Sequence, residues 1–165
     1  KKFNFIKKNT NLLDLGSYPG GWSQVAKKII SSGKILSIDL KKMDEIKKVS
    51  FLQGDFLKDK AKIQISEFFK GNLDVILSDM AADTTGNKSL DCIRTNQLCS
   101  EVIEFSHKNL KKNGVLISKL FMGEDFLQVK ELAKSRFYKV QFFKPEASRN
   151  ESKETYLHCA ILKTL

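Results

Sequence analysis

Asn11-Leu12-Leu13-Asp14-Leu15-Gly16-Ser17-Tyr18-Pro19-Gly20-Gly21-Trp22 is a short apolar run that breaks into a tight, glycine-rich turn. The run, residues 11–15 (NLLDL), suits a buried strand. Residues 22–30 suit a helix with Val25, Ala26, Ile29 and Ile30 inward, and Gly33 punctuates it. The pattern then repeats. Residues 34–39 (KILSID) read as a second strand, residues 49–53 as a third ended by Gly54-Asp55, and residues 63–69 as a helix. Residues 73–78 (LDVILS) form a nearly all-apolar fourth strand. Short apolar runs separated by helical stretches are the signature of a parallel sheet covered on both faces.

Farther along, residues 83–95 (DTTGNKSLDCIRT) are polar and predict a mobile loop over the site. From about residue 96 a helix carries Leu98, Val102 and Phe105 at i, i+4 and i+7, widened by Ile103, and Asn113-Gly114 is its expected end. Residues 114–121 (GVLISKLF) are a fifth strand and residues 124–135 a further helix. Between residues 137–143 and 155–162 stands only KPEASRNESKE, too short for a crossover helix, so these two strands should pair antiparallel. The expected fold class is α/β, a mostly parallel sheet with one antiparallel strand near the C-terminus. A single domain spanning residues 1–165 accommodates it.

Composition narrows the partners. An apolar content of 41% excludes a disordered chain. The net charge of +10, from 29 basic and 19 acidic residues, suggests a polyanionic partner, although a soluble lysine-rich surface would give the same number. Arg94, Arg136 and Arg149 are the only arginines, which favours positioning on a phosphate backbone over bidentate reading of bases. Cys92, Cys99 and Cys159 are odd in number and widely spaced, as in a reducing compartment. No charged-then-apolar leader opens the chain and no run approaches membrane-span length, so a cytoplasmic protein without membrane association is expected.

The strand ends carry the chemistry. Gly16, Gly20 and Gly21 permit close approach or positive φ, and Pro19 stiffens the turn. The spacing is G-x-x-x-G-G and not the dinucleotide G-x-G-x-x-G. Asp39 closes the second strand, where an acid suits ribose hydroxyls. Asp55 closes the third and suits the exocyclic amine of adenine, with Phe56 as an apolar wall. Asp79 closes the fourth. One such acid is often only a loop cap; three at successive strand ends favour a nucleoside cleft that need hold no diphosphate, and S-adenosylmethionine is a ligand of that kind. Lys119 interrupts VLIS-LF inside a strand expected to be buried, where charge is costly unless paired. Asp79 is its natural partner, and Glu154 opens the last strand at the same rim. A purely structural ion pair is the alternative. Neither His107 nor His158 has ligand-like company, and no metal is needed.

Taken together, DLGSYPGGWSQ, the SIDL segment, FLQGDF, LSDMA, ISKLFMGE and KPEASRNESKETYL resemble the FtsJ-like family of RNA 2′-O-ribose methyltransferases, in order and from about Asn11 to the C-terminus. The glycine turn alone would imply only a methyltransferase; the Asp-Lys-Glu set with SRNESKETY points to the 2′-O group. The resemblance implies a Rossmann-like class I fold and S-adenosylmethionine as cofactor, contacted by Gly20, Trp22, Asp39, Asp55 and Asp79. It implies ribose methylation, with a uridine of 23S ribosomal RNA in the large subunit as acceptor and tRNA or another RNA as the alternative. A monomer is expected. The family's Lys-Asp-Lys-Glu tetrad falls on Asp79, Lys119 and Glu154 for its last three members. Its first lysine belongs to an arginine-rich stretch before the first strand, and KKFNFIKKNT resembles the segment immediately C-terminal to that stretch. A catalytic domain lacking the family's N-terminal segment is therefore the expectation, and Lys1, Lys2, Lys7 and Lys8 do not replace the lysine. Where the family has proline after DMA, this chain has Ala82, followed by Asp83.

In-line methyl transfer is the expected reaction, with Lys119 acting on the 2′-oxygen and Asp79 and Glu154 fixing its geometry. Lys41, Lys42, Lys47, Lys48, Lys88, Arg94 and Arg149 are candidates for phosphate contacts. Two other readings exist. A nicotinamide oxidoreductase explains Gly16 and Asp39 but not Lys119 with Asp79. A non-catalytic RNA-binding homologue fits the charge but not the intact Asp-Lys-Glu set.

Overall fold

Leu12, Leu13, Asp14 and Leu15 are all buried, and they form β1 (Leu12–Leu15) inside a seven-stranded sheet. The computed structural model describes residues 4–145 and 153–164. After β1 come α1 (Gly21–Ile29), β2 (Ile35–Asp39), β3 (Ser50–Gln53), α2 (Asp59–Phe69), β4 (Leu73–Ser78) and α3 (Lys88–Asn109). The chain ends with β5 (Leu110–Phe121), α4 (Phe126–Arg136), β6 (Phe137–Phe143) and β7 (Glu154–Leu162). The sheet order is β3-β2-β1-β4-β5-β7-β6. Strands β3 to β5 pair parallel, and β7 runs antiparallel to both β5 and β6. This is the mostly parallel α/β sheet with one reversed strand that the pattern predicts, and the Rossmann-like fold that the resemblance implies.

Two cores cover the faces. Residues Ile65 and Phe69 of α2, Val102 and Ile103 of α3 and Val129 of α4 pack with Leu13, Leu15 and Leu116 on one face. Ala26 and Ile30 pack with Leu12, Val75 and Ile117 on the other, joined by Ile6 of the N-terminal segment. Each fully buried leucine contributes about 1.5–3 kcal/mol. Cys92, Cys99 and Cys159 are all buried and free. Among the described residues no helix is long and apolar enough to cross a membrane.

Three local expectations are corrected. Val25 and Ile29 of α1 face outward, whereas Ser23, Ala26 and Ile30 face the sheet. A buried hydrogen bond from Ser23 to Asp14 sets that rotation, which hydrophobicity alone would not choose. The stretch 83–95 is a loop only as far as Asn87. Its remainder opens α3, because the Asn87 side chain accepts from the Ser89 and Leu90 amides and caps the helix. Finally, Asn113-Gly114 does not end α3. The helix stops at Asn109, and Lys111 to Gly114 form a register shift within β5, between the Leu73–Leu110 and Val75–Val115 pairs.

Candidate active site

Parallel register aligns Ser78 of β4 with Ser118 of β5, so the next residues, Asp79 and Lys119, stand side by side. Because β7 is reversed, it begins at the rim where the parallel strands end. Its first residue, Glu154, pairs with Phe121 and lies diagonal to Lys119 on the same face. Lys119 Nζ is 2.9 Å from Asp79 Oδ1 and 3.0 Å from Glu154 Oε1, and it also donates to the Asp79 carbonyl at 3.4 Å. The lysine side chain is 13% exposed, against 36% and 27% for the two acids. Burial opposes its charge, but the hydrogen bonds and fields of Asp79 and Glu154 outweigh burial and hold the ammonium above its ordinary pKa.

Tyr156, directly opposite Lys119 in the ladder, donates its hydroxyl to Asp79 Oδ1 at 2.6 Å. Burial and the neighbouring carboxylates keep that phenol protonated. Asp79 is thus held from two directions. Asn96, fully buried on α3, fixes the end of β5: it accepts from the Phe121 amide and donates to the Phe121 carbonyl and to Asp125. Sequence reasoning singled out neither residue. A polar asparagine on the buried stripe of a helix was the available signal for Asn96; for Tyr156 it was its place at the end of the SRNESKETY stretch.

Asp79 also lines a cleft of about 950 Å³ that includes Gly16, Asp39, Asp55 and Phe56. The Gly16 φ of +69° needs a glycine, and an added Cβ would stand 2.8 Å from the Met80 amide nitrogen. Asp39 accepts from the amides of Tyr18 and Lys41, which ties the glycine turn to the end of β2. Asp55 accepts from the Leu57 amide and lines the cleft beside Phe56, which is buried edge-on against Phe105. Both acids therefore cap their own loops and also face the cleft.

Gly20 and Trp22 do not line it. Gly20 precedes α1 with φ +109°, and a Cβ added there would stand 2.8 Å from Ile46 and 3.0 Å from Met43. The Trp22 ring leans on Tyr156, 5.7 Å between centroids. What this segment offers a ligand is the amide-bearing N-terminus of α1.

Asp14 was not read from the sequence as a site residue. It is 1% exposed beneath the glycine turn, and its Oδ1 has no hydrogen-bond partner. Burial, and then the fields of Asp79 and Asp39, raise its pKa to about 7 against the Ser23 hydrogen bond. Asp39, Asp55 and Asp79 line the cleft, the Asp14 carboxyl with its orphaned oxygen is buried behind them, and such a set of acids suits a cationic ligand with hydroxyl and amine donors. The folded state therefore binds more protons than the unfolded chain between pH 3.8 and about 7, and this group's contribution to stability is lost as pH rises through that window. Relative to the native chain, Asp14→Asn should gain on the order of 4 kcal/mol between pH 4 and pH 8. Urea unfolding at both pH values measures it, and a pH-independent difference would contradict the assignment.

Of the expected phosphate contacts, Lys41, Lys42, Lys47, Lys48, Lys88 and Arg94 are exposed. Arg94 borders the cleft, and Lys41 lies over the Tyr18 ring at 5.4 Å. Arg149 and most of the loop before Glu154 lie outside the described residues.

The family model described as FtsJ-like methyltransferase matches residues 1–162. Ribosomal RNA large subunit methyltransferase E of Pelagibacter ubique is 42% identical over 163 residues, covering 99% of this chain and 80% of that protein. The protein of the same name from Rickettsia akari is also 42% identical, over 95% of this chain and 72% of its own length. A Plasmodium falciparum crystal structure, provisionally described as a ribosomal RNA methyltransferase, superposes with a TM-score of 0.84 at 32% identity, over 98% of this chain and 91% of that one.

Proposed function

The chain belongs to the FtsJ-like methyltransferase family, and from that premise we propose that it methylates a ribose 2′-hydroxyl, the acceptor being a uridine of 23S ribosomal RNA in the large subunit. The family assignment carries S-adenosylmethionine dependence with it. The finer reading rests on one observation, the lysine ammonium held between Asp79 and Glu154 beside the cleft. The relatives' name, which specifies large-subunit ribosomal RNA, supports the acceptor class.

In this reading residues 1–165 are one catalytic domain, a monomer working in the cytoplasm. Asp39 takes the cofactor's ribose hydroxyls, Asp55 its adenine amine, and the α1 N-terminus with Gly20 and Trp22 its amino-acid end. Asp14 and Asp79 supply the negative field for the bound cation. When bound, S-adenosylmethionine supplies a methyl group already activated on sulfur. The protein's task is then to align a weakly acidic hydroxyl. Lys119 stays charged near pH 7, so it orients the 2′-oxygen through its N–H groups, while the Asp79 and Glu154 carboxylates are the acceptors at hand for the departing proton. Exposed lysines hold the RNA by phosphate contacts, which makes free-RNA binding strongly salt-dependent.

Calorimetric titration tests the cofactor half: S-adenosylmethionine should bind and NAD should not. Asp39→Ala leaves ligand hydroxyls and two loop amides unmatched, at about 1–3 kcal/mol per lost partner. Affinity should fall about tenfold or more. Unchanged affinity in a variant that still unfolds cooperatively would remove Asp39 from the cofactor site.

A further inference from the structure

Three aromatic rings lead away from the ion-paired set along one face of the sheet. Antiparallel register pairs Lys119 with Tyr156 and Tyr156 with Phe143, so all three side chains share a face. The Phe143 and Tyr156 rings stack at 5.8 Å and 23°, and Trp22 of α1 meets Tyr156 at 5.7 Å and 48°. Tyr156 is buried with its hydroxyl on Asp79, while Trp22 and Phe143 are only half-buried. On the same face of β6 the next side chains, Gln141 and Lys139, are exposed, and Lys144 beyond Phe143 is exposed too. The helix on this side, α1, packs on β1 and β2. The outer rings thus keep surface in water, between the reacting set and exposed lysines.

Lys119 is recessed, and a 2′-oxygen in an intact RNA helix is carried on a stacked nucleotide. An unstacked nucleotide can carry that oxygen down to the ammonium, and its splayed base then needs another surface. We propose that Trp22 and Phe143 stack against the base of the acceptor nucleotide, making the substrate an unpaired RNA nucleotide held by its π-face, with the exposed Lys139 on the same face toward its phosphates. The proposal rests on the 2′-O reading above. Trp22 then has two parts with two duties: its amide in the cofactor end of the site and its ring on the acceptor side. Stacking is tolerant of base identity, so selection of the nucleotide falls to the shape of the surrounding RNA.

Trp22 is the chain's single tryptophan, so its emission reports on the platform directly. The wild-type protein is titrated at low salt with a short single-stranded RNA and with an abasic ribose-phosphate oligomer of equal length. The RNA should quench Trp22 emission; the abasic oligomer should bind without quenching. In methyl transfer to methylation-deficient large subunits, Phe143→Leu should raise KM about tenfold. It should leave kcat and S-adenosylmethionine affinity near native values, and Phe143→Tyr should restore KM. Equal quenching by both oligomers, or an unchanged KM in Phe143→Leu, overturns the proposal. Failure of the 2′-O reading looks different: the wild-type enzyme would label no ribose, whatever the quenching showed.

Discussion

Lys119→Ala is expected to slow methyl transfer by a factor of about 10²–10⁴ while leaving S-adenosylmethionine affinity unchanged. The ammonium touches Asp79 and Glu154 at the rim, so its loss removes the group that orients the acceptor in the transition state without emptying the cofactor cleft. Two carboxylates are left without their cation, which costs some stability, but both remain partly exposed and water can take the place of the lysine. Single-turnover rates with labelled donor in the full-length protein, beside calorimetry on the same variant, measure both halves. Near-native single-turnover methylation would take Lys119 out of the reaction. Lys119→Arg is informative as a companion, because it keeps the charge and changes the reach; activity should stay low.

Gly16→Ala should cost about 2–5 kcal/mol, from a left-handed backbone closed to alanine and from overlap with the backbone of Met80. That position ties the glycine turn to the end of β4, where the Asp79 amide donates to the Leu15 carbonyl at 2.9 Å. Relief of the overlap must push Met80, and Asp79 with it, away from the turn. The melting temperature should fall by roughly 5–15 °C, and cofactor affinity should fall in the protein that remains folded. A variant with native stability and native affinity would show that the turn tolerates a side chain there.

The parallel sheet was legible because each strand is a short apolar run bounded by turn residues, and the reversal of β7 because eleven residues cannot carry a crossover helix. Lys119 was legible for a related reason: a charge inside VLIS-LF has no cheap explanation on a buried strand. What escaped depends on contacts between distant segments. Nothing near Ser23 announces that its hydroxyl binds Asp14 and turns Val25 and Ile29 to solvent. Asp91 looks like a loop residue until Thr85 is seen donating to it, which lets a polar stretch open α3. The family resemblance puts Trp22 at the cofactor. Its ring joins Tyr156, a residue 134 positions away that the ladder sets beside Lys119, and that contact could not be read from the sequence. Backbone pattern predicts which element carries a residue; side-chain direction at the rim is decided by which partner the fold brings opposite.

One product analysis separates ribose methylation of large-subunit RNA from every other acceptor. Full-length enzyme and labelled S-adenosylmethionine are incubated with methylation-deficient large subunits, small subunits, deproteinised RNA and tRNA, and the labelled nucleotide is mapped and hydrolysed to separate sugar from base. A phosphate-positioning surface with few arginines should need the fixed shape of the assembled particle. The predicted result is label on the ribose of a uridine, in large subunits above all other substrates. Label on a base, or a clear preference for tRNA, would contradict it.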